Sequence, residues 1–274
     1  MTSFLQPLFA EQAYDKNSFF LLAGPCVVES EPLVMETAAA LKEICTRLRI
    51  PFVFKASYRK ANRSSAGSFT GIGDTEALKI LQQMRTRLAL PVVTDIHTAE
   101  EAVQAAPYVD VLQIPAFLCR QTDLLEAAGR TEKIINIKKG QFLSGPAMKF
   151  AAEKIEKTGN QKILLTERGT TFGYQDLVVD FRNIQWMREL GYPVVMDVTH
   201  SLQQPNQSVG ITGGQPELIE TIACAAIGAG AQGIFIETHP EPAAAKSDGA
   251  NMLALEKMEA LLTKLVRIRS ALLT

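Results

Sequence analysis

Short, nearly continuous apolar runs recur along the chain, each followed by a longer stretch whose apolar residues return every three or four positions. A buried strand gives the first pattern and an amphipathic helix the second. Eight runs read as strands, at residues 19–23, 52–55, 92–95, 109–114, 134–138, 163–166, 194–198 and 234–237. Between them, Thr75-Glu76-Ala77 and Asp123-Leu124-Leu125-Glu126 open helices with capping residues, while Gly129 and Gly191 close the units before them. Residues 251–273 read as a last amphipathic helix.

Strict alternation of strand and helix with short connections predicts a parallel sheet covered by helices on its outer face. Eight repeats over about 250 residues match the size and count of a (β/α)8 TIM barrel. A doubly wound open sheet is the alternative, but it usually has fewer strands, and no GxGxxG follows the first one. The expectation is therefore an α/β chain forming one barrel domain over residues 1–274, with residues 1–18 as a short cap across its N-terminal end.

Hydrophobic residues make up 47% of the chain, enough for a large core. Its 28 basic and 29 acidic side chains leave a net charge of -1, so no global field favours nucleic acid or an anionic membrane. Any anion site must be local. The apolar run at 19–28 is interrupted by Gly24 and Pro25, and no segment is long enough to span a bilayer. Residues 1–17 lack the basic-then-apolar order of a signal peptide. Four cysteines without a CxxC argue for reduced thiols and a cytoplasmic protein; Cys45 and Cys224 fit as small core residues on helices.

Barrel chemistry is built at the C-terminal strand ends. Here these carry Cys26, then Lys55 and Lys60, Asp95 and His97, Gln113, Lys138 and Lys139, Glu167 and Arg168, Asp197 and His200, and finally Glu237 and His239. All three histidines of the chain fall in this set. A cationic stretch such as Lys55-Ala56-Ser57-Tyr58-Arg59-Lys60-Ala61-Asn62-Arg63 is, taken alone, a solvated loop. Eight converging polar ends turn that reading toward an active site. Lys55, Lys60, Arg63, Lys138 and Arg168 supply charge for two phosphates, or for a phosphate and a carboxylate. Cys26, His200, Glu237 and Asp248 come from strands that closure makes neighbours, and thiolate, imidazole and carboxylates suit Fe(II), Zn(II) or Mn(II). The blander alternatives are a packed thiol at Cys26 and a lysine-neutralising carboxylate at Glu237. The long loops at 201–214 and 240–248 read as lids that exclude water.

Four segments carry a resemblance: Lys60-Ala61-Asn62-Arg63-Ser64-Ser65, Gln113-Ile114-Pro115-Ala116-Phe117-Leu118-Cys119-Arg120-Gln121-Thr122, Asn136-Ile137-Lys138-Lys139-Gly140-Gln141-Phe142 and Thr166-Glu167-Arg168-Gly169-Thr170-Thr171-Phe172-Gly173-Tyr174. Together they resemble the 3-deoxy-D-manno-octulosonate 8-phosphate synthase family from Gly24 to Asp248. That family condenses phosphoenolpyruvate with arabinose 5-phosphate, releasing phosphate, on the route to lipopolysaccharide. The sister family, which uses erythrose 4-phosphate, reads more like KPRTS where this chain has KANRSS.

The resemblance implies that Lys55, Ser57, Lys60 and Gln113 hold the phosphoenolpyruvate carboxylate, and that Lys138, Arg168 and the backbone of Ala116 hold its phosphate. It implies Asn62, Arg63, Ser64 and Asp95 for the sugar phosphate. Arg120 would reach a neighbouring subunit's site, implying a homo-oligomer, commonly a tetramer. Cys26 points to the metal-dependent class, with His200, Glu237 and Asp248 as its partners. Lys60 is then the donor to the nascent alkoxide and Asp95 or His97 handles the water's proton, with His200 counted beside them as catalytic. Two segments, 143–148 and 211–214, depart from the family pattern. Other readings are a Schiff-base aldolase using Lys55 or Lys138, and a non-catalytic barrel that senses a sugar phosphate.

Overall fold

The computed structural model describes residues 3–61, 67–205 and 213–274. Eight strands lie side by side: β1 (Phe20–Gly24), β2 (Phe52–Lys55), β3 (Val92–Asp95), β4 (Val111–Ile114), β5 (Ile134–Lys138), β6 (Ile163–Glu167), β7 (Val194–Asp197) and β8 (Gly233–His239). They pair in parallel in chain order, and β8 returns to β1 with Phe20 opposite Gly233 and Gly24 opposite Glu237. This last pairing closes the sheet into a (β/α)8 barrel and removes the edges that a doubly wound sheet would keep.

Eight helices follow the strands: α1 (Glu31–Leu48), α2 (Asp74–Leu88), α3 (Ala99–Ala105), α4 (Thr122–Arg130), α5 (Lys149–Glu156), α6 (Arg182–Glu189), α7 (Ile219–Gly228) and α8 (Met258–Ala271). The start of α1 shows the local rules at work. The Ser30 hydroxyl accepts from the Leu33 N–H, a proline sits in the first turn, and Arg49 ends the helix in the left-handed region.

Three helices differ from expectation. α2 and α4 begin one residue before the expected caps, and Gly129 lies inside the last turn of α4. α8 begins only at Met258, because Leu253 and Ala254 pair with Thr238 and His239 at the end of β8. Backbone groups spent on that ladder are not available to a helix.

Side chains alternate between the two faces of every strand. Leu21, Ala23, Phe52, Phe54, Leu112, Ile135 and Ile234 point outward into the layer under the helices. Phe20, Leu22, Val53, Val93, Val111, Ile134, Leu164, Val195 and Phe235 point inward and fill the barrel. Leu5 and Phe9, from the segment before β1, join this inner group, and the Phe9 and Phe20 rings lie 5.8 Å apart.

Candidate active site

The inward register places the chemistry. Two residues beyond an interior apolar position, seven of the eight strands put a polar one on the same face, β1 having Gly24 there. Lys55 follows Val53, Asp95 follows Val93, Gln113 follows Val111, Asn136 and Lys138 follow Ile134, Thr166 and Arg168 follow Leu164, Asp197 follows Val195 and Glu237 follows Phe235. Lys55, Asp95, Gln113, Lys138, Arg168 and Glu237 line one cleft with Lys60, His97, Ala116, His200 and Asp248.

A belt of hydrogen bonds crosses five strands beneath the cleft. The Ser57 hydroxyl and the Gln113 amide both donate to Asp95. Asn136 donates to Gln113 Oε1 at 2.8 Å, and Thr166 donates to Asn136 Oδ1 at 2.6 Å. Burial opposes ionisation of Asp95, but Lys55, Lys60 and Lys138 outweigh it and hold the carboxyl far below the usual range. Asp95 is therefore a fixed anion and a weak base.

The lysines of the site each have a carboxylate neighbour. Lys55 donates to Glu237 and, at 3.1 Å, to the Cys26 carbonyl. Lys138 donates to Asp197 Oδ2 at 2.6 Å, and its ammonium stands 3.9 Å from the Phe235 ring centre. Burial pushes Lys138 below its ordinary value, with Asp197 working against that shift. Burial also disfavours charge on Lys60, yet Cys26, Glu237 and Asp95 raise it overall. Arg168 is 4% exposed, and one arm donates to Gln203 Oε1 at 2.7 Å. Its other terminal nitrogen, Nη1, is buried with no partner in the described residues. A buried guanidinium with an open donor is a site for an anion.

On the opposite side, Cys26, Glu237 and Asp248 each offer a donor atom, all within 4.8 Å of one another. Glu237 Oε2 is buried without a hydrogen-bond partner among the described residues, and His200 Nε2 lies 3.5 Å from it. Asp197 accepts from the His200 backbone N–H and faces its Nδ1 at 2.8 Å. Lys138 and His200 hold this carboxyl well below the usual range against burial, so it can only accept, which puts the proton on Nδ1. His200 Nε2 faces the Glu237 carboxylate, and an ion held between them would complete the arrangement of a carboxylate-backed metal-binding histidine. Burial pushes the Cys26 thiol up to about 12, helped by Glu237 and opposed by Lys60.

His97 joins the cleft with a partner that a survey of strand ends misses. Glu101, on α3, accepts from the His97 backbone N–H and faces its Nδ1, both at 2.9 Å. It also accepts from the Tyr58 hydroxyl and from Arg59. Burial resists the charge, but the bonds from His97 and Tyr58 bring the Glu101 carboxyl from 4.5 down to about 2. A depressed carboxyl stabilises the fold above its unfolded value and loses that contribution as pH falls through the folded one. The urea midpoint is expected to be insensitive to this group from pH 7 to 5 and to fall between 4.5 and 2. Glu101→Gln should flatten that limb; an identical limb in the variant would exclude Glu101 as its source.

Other candidates fall elsewhere. Asn62, Arg63 and Ser64 lie outside the described residues. Arg120 is exposed, on the connection from β4 to α4, and does not line the cleft of its own chain. His239, expected in the ring, is 3% exposed but does not line the cleft. Its Nδ1 accepts from Glu241 N–H at 2.9 Å and its Nε2 stands 4.0 Å from Glu29. The segment at 143–148 is held by Lys139, which donates to the Leu143 carbonyl at 2.9 Å, and by Asn183, which accepts from Gly145 N–H. Of the loop at 201–214, Gln203 and Gln204 pair with Gly214 and Gly213, while residues 206–212 lie outside the described set. A Cβ on Gly214 would stand 1.8 Å from Asn251 Oδ1, so glycine lets this loop meet the one that carries Asp248.

Residues 12–274 match the DAHP synthetase I family. The 2-dehydro-3-deoxyphosphooctonate aldolase of Koribacter versatilis is 51% identical over 255 residues, which cover 92% of this chain and 91% of that protein. The protein of that name from Acidithiobacillus ferrooxidans is 51% identical over 253 residues, 92% of this chain and 90% of its own. That from Cyanothece sp. is 50% identical over 258 residues, 94% of each chain.

Proposed function

The chain belongs to the DAHP synthetase I family, and from that premise we propose that it condenses phosphoenolpyruvate with D-arabinose 5-phosphate and water. The products are 3-deoxy-D-manno-octulosonate 8-phosphate and inorganic phosphate, and the enzyme serves lipopolysaccharide biosynthesis. The observation that carries this reading is the set of buried cations around one cleft of a protein with a net charge of -1. Lys55 and Lys138 already face carboxylates, so the open Arg168 Nη1 is the group that calls for an anionic ligand. The relatives' names favour the eight-carbon product over the sister reaction with erythrose 4-phosphate.

Lys138, Arg168 and the Ala116 backbone bind the phosphate of phosphoenolpyruvate, with Lys55 and Lys60 toward its carboxylate. Ser57 and Gln113 already donate to Asp95, so they act in part by setting that anion, which receives a sugar hydroxyl. Asn62, Arg63 and Ser64 take the sugar phosphate. Holding both anions brings carbon three of phosphoenolpyruvate against the aldehyde, where the C–C bond forms. Lys60 protonates the aldehyde oxygen as it becomes a hydroxyl. Water adds to carbon two and gives its proton to His97, since Asp95 is too weak a base. The new C2 hydroxyl then collapses to the ketone as the C2–O bond to phosphate breaks, its proton leaving with the phosphate.

The orphaned Glu237 oxygen beside Cys26, Asp248 and the His200 lone pair fits a divalent metal, which these four residues would hold. Fe2+, Zn2+ and Mn2+ all suit that donor set. Such an ion supplies Lewis acidity toward an aldehyde or water oxygen.

Arg120 extends the reading to a homotetramer. Phe117, Phe142, Phe150 and Phe172 are 42–72% exposed, and a second copy would cover them. Four free thiols fit a cytoplasmic enzyme, and no helix among the described residues is long and apolar enough to cross a membrane.

The test is phosphate release. Phosphoenolpyruvate should yield phosphate only when arabinose 5-phosphate is added, and erythrose 4-phosphate should replace it poorly. Equal turnover with the four-carbon sugar would sink the assignment. Lys55 and Lys138 are both paired to carboxylates, so borohydride should trap no covalent adduct on either lysine. A trapped adduct would instead favour the Schiff-base route.

A further inference from the structure

Glu101 lies outside the ring of strand ends, yet more of the rim converges on it than helix capping requires. It is 4% exposed, three residues into α3, where the Thr98 hydroxyl accepts from its backbone N–H. Its Oε2 faces His97 Nδ1 and accepts from the His97 N–H and the Tyr58 hydroxyl; its Oε1 accepts from Arg59. Arg59 also reaches Asp74 Oδ2 at 3.2 Å. Tyr58 and Arg59 form the root of the loop that presents Lys60 to the cleft.

We propose that Glu101 is the positioning residue of the water-addition step, fixing His97 in the tautomer whose Nε2 lone pair faces the cleft. An ionised carboxylate accepts and cannot donate, so the ring nitrogen facing it carries the proton. The other nitrogen of a neutral ring is then the base, and His97 lines the cleft. Through Tyr58 and Arg59 the same carboxylate ties the Lys60 loop to α3. Proton donor and proton acceptor are thus registered against one anchor. Only the step assigned to His97 rests on the condensation read above; the tautomer is a property of the protein itself.

Two measurements decide it. In 15N-histidine-labelled protein, at a pH where the rings are neutral, the chain's three histidines separate, with His97→Gln assigning the signal. His97 should be in the Nδ1–H form, and Glu101→Gln should shift it toward a mixture. In the assay, Glu101→Gln should lower kcat about a hundredfold, with both KM values within about threefold of the parent. Asp74→Asn loosens Arg59 without touching Glu101 and should leave kcat within about threefold of the parent. An Nε2–H tautomer at His97 in the parent chain overturns the proposal even if Glu101→Gln does not fold. So does a Glu101→Gln enzyme whose kcat is unchanged, or whose loss lies wholly in KM. A parent chain that releases no phosphate from phosphoenolpyruvate would refute the condensation instead, and the tautomer would still decide where Glu101 places His97.

Discussion

Glu237→Gln chains are expected to purify with little bound metal, unfold at lower urea and lose at least about a hundredfold in kcat/KM. Residues behind a metal's ligands already cost 10- to about 100-fold when removed, and Glu237 is proposed as a ligand itself. The stability loss has a separate origin. Glu237 is fully buried, pairs with Lys55 and stands 3.9 Å from Lys60. A neutral amide leaves the Lys55 ammonium, 1% exposed, without its counter-charge, and breaking a buried pair from one side costs about 3–5 kcal/mol. Glu237→Asp keeps the charge, so it should recover most of the stability and little of the metal. Metal content by elemental analysis, the urea midpoint and phosphate release read the three effects separately. Unchanged metal content with unchanged turnover would remove Glu237 from the ligand set.

Lys138→Met should lose less stability and show a large binding defect. Asp197 loses one donor but keeps the Thr199 N–H at 3.1 Å, the Thr199 hydroxyl at 3.0 Å and the His200 N–H at 2.8 Å. The methionine thioether can take over the ammonium's place against the Phe235 ring. The phosphate of phosphoenolpyruvate, however, loses a desolvated cation, a change worth about 2–5 kcal/mol. That corresponds to a rise of about 30- to 5000-fold in KM for phosphoenolpyruvate. The KM for arabinose 5-phosphate should move by less than about threefold, and steady-state kinetics with each substrate varied in turn reads the difference. A defect shared equally by both substrates would place Lys138 outside the phosphate site.

Most of the barrel, and the inner ring of its site, can be read from alternation alone. A run such as Val53-Phe54-Lys55 sends its two ends to one face and its middle to the other, so an interior valine announces an interior lysine. The same arithmetic finds Asp95, Gln113, Asp197 and Glu237. It fails beyond the last paired residue. His239 shares its parity with Glu237, yet its ring serves the backbone of the following loop and stands near Glu29. Nothing local in Glu237-Thr238-His239 separates the two roles. Glu101 was hidden for another reason. Thr98-Ala99-Glu100-Glu101 has the form of a helix-capping box, and part of it does cap. The Glu101 contacts with Tyr58 and Arg59 span more than forty residues of chain and follow from barrel geometry, not from spacing. The late start of α8 has the same character, since residues 253–254 find a strand partner only once β8 is in place.

The interior of the barrel also sets an order of events during synthesis. Leu5 and Phe9 pack among side chains drawn from all eight strands, the last of them Phe235. Phe20 pairs with Gly233. A ribosome releases the first of these residues long before the last, so the early segment stays exposed while its binding surface is still being made. Contacts of such sequence separation form slowly, and an unfinished parallel sheet presents two open edges. Half-made chains of this protein thus leave the apolar interior of the barrel uncovered until the final strand closes it.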